Sequence, residues 1–292
     1  MIPLPEGHPF PTEKYRQTKE ALLARSIIET VFDPGLADEG DLALVHTSEY
    51  IRSVFEGELS AEQLRKLGFP WSKALVDRSR SAVAGTVSAM GAAIEEADGL
   101  GINLAGGTHH AFPDAGSGYC VFNDVAVAVK LLLSRKPSAK IMVADLDAHQ
   151  GNGTHFILGG TRNVFTLSAH VKQNFPRNKH PGTLDIEFDR WIDGSEYLPA
   201  VEKALSESLA RFSPDIVFYL AGVDVHENDR FGQMCLTEAE TAGRDSLSIT
   251  LFRKHSARVV IVLGGGYNKE KGMTARLHCQ TIEIAADLIA RG

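Results

Sequence analysis

Asp147-Ala148-His149 places a carboxylate and an imidazole two positions apart, and residues i and i+2 of an extended segment point to the same side. Both groups can therefore grip one cation. Asp224, closing the run Ala-Gly-Val-Asp, offers a further carboxylate. Two oxygens and one imidazole nitrogen leave coordination positions open, as catalytic rather than structural zinc requires, and such an ion activates water at neutral pH. The adjacent His109 and His110 suit proton carriage, provided that acceptors fix their tautomers; Asp145 and Asn152, either side of the Asp-Ala-His, are candidates. A carboxylate behind one imidazole raises its basicity and a neutral amide behind the other does not, so the pair should titrate differently. Tyr267, after three glycines, brings a phenol that can donate to a developing oxyanion. The chemistry these groups spell is metal-assisted hydrolysis.

Each feature alone has a plain structural explanation. An Asp-x-His can be a capped turn with a core histidine, a His-His pair a polar loop, and Gly-Gly-Gly-Tyr a strand-ending turn with a packing aromatic. Cys120 reads as a small buried packing residue. Their joint placement is harder to explain that way. After each of five predicted strands the chain carries such groups: His109 and His110, then Asp145 to Asn152, then Ser168, Ala169 and His170, then Asp224, then Tyr267. In open parallel sheets ligands bind outside the carboxyl ends of the strands, so these segments are expected to converge.

The elements that would position them follow from periodicity. Helical patterns cover roughly 14–31, 47–56, 72–98, 123–134, 195–211, 237–254 and 272–290, with Asn123, Ser195 and Thr237 as N-caps. Short apolar runs at 42–46, 102–105, 141–144, 164–167, 216–221 and 259–263 read as strands buried on both faces. The expected fold is α/β, an open and mostly parallel sheet covered by helices on both faces. With no repeat or hinge-like linker, residues 1–292 are expected to form a single catalytic domain. The polar stretch 168–194 reads as a long loop of functional type.

Composition narrows the partners. The 292 residues are 43% hydrophobic and 23% charged, with no apolar run of membrane-spanning length, so a membrane partner is not expected. A net charge of −7, from 37 acidic and 30 basic residues, provides no overall positive field for nucleic acid. Cys120, Cys235 and Cys279 are widely spaced and odd in number, which fits a reducing compartment rather than a disulfide framework. The N-terminus lacks a basic flank followed by an apolar core, so the expected location is cytoplasmic.

In order, the runs HPFPTEKY, GGTHH, GSGYCVFND, DLDAHQGNG, AGVD and GGGY resemble those of the zinc-dependent histone deacetylase superfamily, which includes acetylpolyamine amidohydrolases and, more distantly, arginases. DLDAHQGNGTH and DVHENDRFG look most like its class IV branch. The resemblance implies the arginase/deacetylase fold. It implies zinc on Asp147, His149 and Asp224, catalytic His109, His110 and Tyr267, Asp145 behind the first histidine, and Asn152 at a position that is Asp or Asn in different branches. It further implies a structural potassium ion near Asp145, Asp147, His149, Ser168 and Ala169, and an acyl-lysine tunnel walled by Gly118 and Tyr119 with Phe175 opposite. The implied partner is an acyl-lysine peptide or protein, or a small acylated amine. An oxygen-rich site would also accept Fe(II) or Co(II).

Three departures bear on substrate. Where relatives clamp a peptide backbone with an acid, this chain has Gly68-Phe69-Pro70-Trp71. Where polyamine-specific relatives carry a glutamate, it has Phe231, which disfavours a cationic polyamine as the alternative substrate. Gly151 stands where an arginase-like second metal would need a carboxylate. Intact histidines and Tyr267 weigh against a non-catalytic acyl-lysine reader.

Overall fold

In the runs IMVAD and RVVIV nearly every side chain is apolar, which suits a strand only if both of its faces are covered. The computed structural model, which describes residues 2–255 and 257–290, covers both. The chain runs α1 (Glu13–Ala24), α2 (Glu39–Ala43), α3 (Ser48–Glu56), α4 (Ala61–Leu67), α5 (Lys73–Glu95), β1 (Leu100–Asn103), α6 (Asp124–Arg135), β2 (Ile141–Asp145) and α7 (Asn152–Leu158). It continues through β3 (Val164–Val171), β4 (Leu184–Phe188), α8 (Gly194–Phe212), β5 (Ile216–Leu220), α9 (Glu238–Lys254), β6 (Arg258–Val262) and α10 (Met273–Ala290). The strands form one sheet in the order β1-β6-β5-β2-β3-β4, every pairing parallel.

Alternation along the central strands divides the core. Met142 and Ala144 of β2, Val217 and Tyr219 of β5, and Val259 and Ile261 of β6 pack with α8 and α9 on one face. Ile141 and Val143, Phe218 and Leu220, and Val260 and Val262 pack with α5 and α6 on the other. A third cluster joins α3, α4 and α5 beside the sheet. Because all six strands run the same way, the loops leaving their carboxyl ends emerge along one edge.

The expected single-domain α/β architecture is present, with corrections. Residues 42–46 are not a strand. Asp38 caps α2 by accepting from the Asp41 N–H, and the His46 N–H returns to the Leu42 carbonyl at 2.8 Å, so the apolar run winds helically and buries Leu42 and His46 together. Conversely, β4 lies in the stretch expected to be a loop. It is an edge strand paired only with β3, and its alternating polar residues mask it. β3 extends to Val171, so Ser168, Ala169 and His170 lie within the strand. Asn123 and Thr237 cap their helices as expected, Thr237 in a capping box with Glu240, but α8 is capped by Asp193 rather than Ser195. Helix α1 stops at Ala24, well short of residue 31.

Candidate metal centre and active site

β5 and β2 are neighbours in the sheet, so Asp224, just beyond β5, meets the segment that leaves β2 at Asp145. One ligand atom from each of Asp147, His149 and Asp224 lies within 4.8 Å of the other two, and all three residues are buried. His149 Nδ1 lies within hydrogen-bond distance of Asp147 Oδ1 at 3.1 Å and of Asp224 Oδ2 at 2.9 Å. Burial opposes an imidazolium, yet those bonds and the two charges hold His149 well above its ordinary pKa. Two buried carboxylates converging on an imidazole demand positive charge between them, and this donor set fits one divalent cation.

Glycines make the convergence possible. A Cβ at Gly265 would come within 2.3 Å of Asp224 Oδ2 and 2.6 Å of Asp147 Oδ2, and one at Gly222 within 2.3 Å of Asp147 Oδ2. In place of side chains, the Gly265 N–H donates to Asp147 Oδ2 at 2.8 Å and the Ala148 N–H to Asp224 Oδ1 at 2.9 Å. Gly151 is crowded too. A Cβ there would lie 2.3 Å from Asp145 Oδ2, so the position that an arginase-like second metal would use has no room for a carboxylate.

The histidine pair is asymmetric, as expected from Asp145 and Asn152. His109 Nδ1 donates to Asp145 Oδ2 at 2.6 Å, whereas His110 Nδ1 donates to Asn152 Oδ1 at 2.9 Å. The rings lie 4.0 Å apart. Burial pulls both imidazoles down, but the Asp145 and Asp147 carboxylates bring His109 up to about 9. His110, with only an amide behind it and imidazoles beside it, is held well below the ordinary value by burial. The two rings are thus tuned in opposite directions.

Both histidines, the three metal-ligand candidates and Tyr267 line one cavity of about 360 Å³. Burial and the neighbouring Asp147 and Asp224 keep the Tyr267 phenol protonated, so it can act as a donor. Gly118, Tyr119, Phe175 and Phe231 line the same cavity. Phe175 stands edge-on to His110 at 4.8 Å, and a Cβ at Gly118 would strike both of those rings. Phe231 packs 5.2 Å from Tyr267. Ser168 and Ala169 are fully buried in β3, where Ser168 is the direct register partner of Asp145. His170 is withdrawn from the cavity, its Nδ1 against Ser168 Oγ at 3.0 Å.

Three supporting residues escaped sequence reasoning. Arg244 of α9 is fully buried and donates through Nη1 to the carbonyls of Leu146 at 3.1 Å and Gly222 at 2.6 Å, one in each of the loops that carry Asp147 and Asp224. Asp124, the first residue of α6, accepts from the N–H groups of Gly107 at 3.0 Å and Thr108 at 2.7 Å, fixing the loop before His109. Asp229 plays a similar part for Tyr267, accepting its N–H at 2.6 Å. The available signal was indirect: charged residues on helix faces that must pack against the sheet.

Residues 8–282 match the histone deacetylase domain. The chain is 40% identical over 271 residues to an uncharacterized protein of Picosynechococcus sp., covering 92% of this chain and 90% of that one. It is 30% identical over 283 residues to the acetoin utilization protein AcuC of Bacillus subtilis, covering 89% of this chain and 73% of AcuC. Histone deacetylase 2 of Arabidopsis thaliana is 28% identical over 295 residues, covering 94% of this chain and 73% of that protein. Among solved structures, the crystal structure of an HDAC homolog complexed with SAHA superposes with a TM-score of 0.82 at 26% identity, covering 99% of this chain and 81% of that one.

Proposed function

Because the chain belongs to the histone deacetylase family and is a hydrolytic enzyme of deacetylase type, we propose that it cleaves the amide of an N-ε-acyl-lysine with one zinc ion held by Asp147, His149 and Asp224. The observation that carries this reading is the buried Asp-His-Asp cluster facing the same cavity as two oppositely tuned histidines. When bound, the ion polarises the acyl carbonyl and makes water a competent nucleophile at neutral pH.

The protein's own groups divide the remaining work. His110, its Nδ1–H held by Asn152, has a free lone pair on Nε2 and takes the proton of the attacking water. His109, charged through Asp145, stabilises the negative charge that develops and supplies a proton to the leaving amine as the C–N bond breaks. Tyr267 donates its phenolic proton in a hydrogen bond to the oxyanion. Phe175, Gly118, Tyr119 and Phe231 form an apolar sleeve for the methylene stem of the acylated side chain. A structural potassium ion is proposed at Asp145, Ser168 and Ala169, where buried oxygens of β2 and β3 adjoin. Three free thiols and no helix, among the described residues, long and apolar enough to cross a membrane accord with a cytoplasmic location.

Replacing Tyr267 by Phe tests the role assignment. Turnover of an acetyl-lysine peptide should fall by about 10²-fold, with bound metal unchanged. Undiminished turnover would remove Tyr267 from the chemistry.

A further inference from the structure

Five cations line the cavity, Lys14, Arg65, Lys66, Arg78 and Arg230, and among the described residues its only carboxylates are Asp147 and Asp224, which belong to the metal centre. Lys14 is buried at the inner end, whereas Arg65, Lys66 and Arg230 are exposed at the mouth. Lys66 is neutralised by Glu62 at 2.8 Å, four residues before it on α4. Arg65 and Arg230 have no carboxylate partner among the described residues. The mouth of an acidic protein, with net charge −7, is therefore locally positive.

Neither arginine hangs from a free loop. Helix α4, which carries Arg65, is joined to the tunnel wall by the Gly118 N–H on the Lys66 carbonyl at 3.2 Å and the Tyr119 N–H on the Leu67 carbonyl at 2.8 Å. At its end Gly68 presses against the Tyr119 ring so closely that a Cβ would come within 2.7 Å of it. Arg230 sits in a turn built on the buried Asp229, which accepts from the N–H groups of Phe231 at 2.8 Å and Gly232 at 3.0 Å, while the Arg230 N–H bonds the Tyr267 carbonyl at 3.2 Å. Both backbones are thus fixed to walls that also hold Tyr119 and Tyr267. A charge on a fixed wall acts on substrate at a defined place.

Resting on the deacylase reading above, we infer that the acylated amine is presented on an acidic carrier: carboxylates close to the acyl-lysine face Arg65 and Arg230 while the acyl group reaches the metal centre. Within a screening length of the mouth Arg65 and Arg230 attract such a carrier, whereas the rest of the acidic surface does not, which favours entry in one orientation. A basic carrier meets the reverse.

The test uses the full-length, metal-loaded enzyme and three acetyl-lysine peptides that differ only in flanking residues: Asp and Glu, uncharged residues, or Lys and Arg. At low salt kcat/KM should be about tenfold higher for the acidic than for the basic peptide, mostly through KM, and the gap should close in high salt. The double variant Arg65→Glu/Arg230→Glu, checked for wild-type metal content, should invert the ranking. Cleavage of all three at equal rates, or a preference for the basic peptide, overturns this inference and leaves the deacylase reading standing. Failure to cleave any of the three peptides overturns both.

Discussion

The difference between His109 and His110 begins with the group behind each ring. Asp145 and Asn152 are nearly the same size and stand at the same nitrogen of adjacent rings, yet against the pull of burial Asp145, together with Asp147, brings its imidazole up to about 9, while Asn152 leaves its imidazole to the depressing effect of burial. The sign of the resulting pH dependence follows. If His110 works as a base, activity is lost on the acid side when it takes up a proton, and its depressed pKa sets that limb well below neutrality. Replacing Asn152 by Asp puts a carboxylate behind it, favours the imidazolium, and should shift the acid limb of kcat/KM upward by about one unit or more. A pH profile of the variant that overlays the wild type would take His110 out of the base's role.

Between single residues and the sheet lie the loops, and their precision depends on buried polar groups behind them. Arg244 ties the Leu146 and Gly222 carbonyls together with one guanidinium, which braces the two loops that carry Asp147 and Asp224 from behind. Arg244→Met keeps bulk and removes those donors. It should weaken metal affinity by about 10–100-fold, the usual effect of losing an outer support, as read by competition with a chromophoric chelator. Unchanged affinity would show that the glycine turns alone hold the two carboxylates.

How much of this was legible in the sequence depends on the element. β2, β5 and β6 announce themselves because both faces are buried, and the loaded residues at their carboxyl ends announce the site. β4 does not, because an edge strand keeps polar residues. Residues 42–46 mislead because a short apolar run has no period of its own, and the cap at Asp38 decides it. Arg244 and Asp124 stay hidden because the loop groups they hold are backbone carbonyls and N–H groups remote in sequence, 98 and 22 residues away for Arg244 and 17 for Asp124 and Gly107, and no side-chain pattern marks a carbonyl or an N–H.

For the molecule as a whole, the cluster joins residues that are neighbours only because β5 lies beside β2. Residues lining the same cavity range from Phe10, before α1, to Tyr267, after β6. A cation bound only by the folded arrangement is therefore a stabilising ligand. At a free metal concentration about 100-fold above Kd, linkage gives about 2.7 kcal/mol, worth roughly 4–5 °C in Tm for a domain of this size. Stripping the metal with a chelator should lower the melting temperature by that order, and returning zinc should restore it; identical curves would mean that no cation links the two loops.

The decisive number is the count of transition-metal ions per chain after reconstitution, measured by elemental analysis on the wild type and on Asp224→Ala. One ion per chain that is lost in the variant is the predicted result. Two ions in the wild type, or one retained undiminished after Asp224 is removed, would contradict a single cation shared by Asp147, His149 and Asp224.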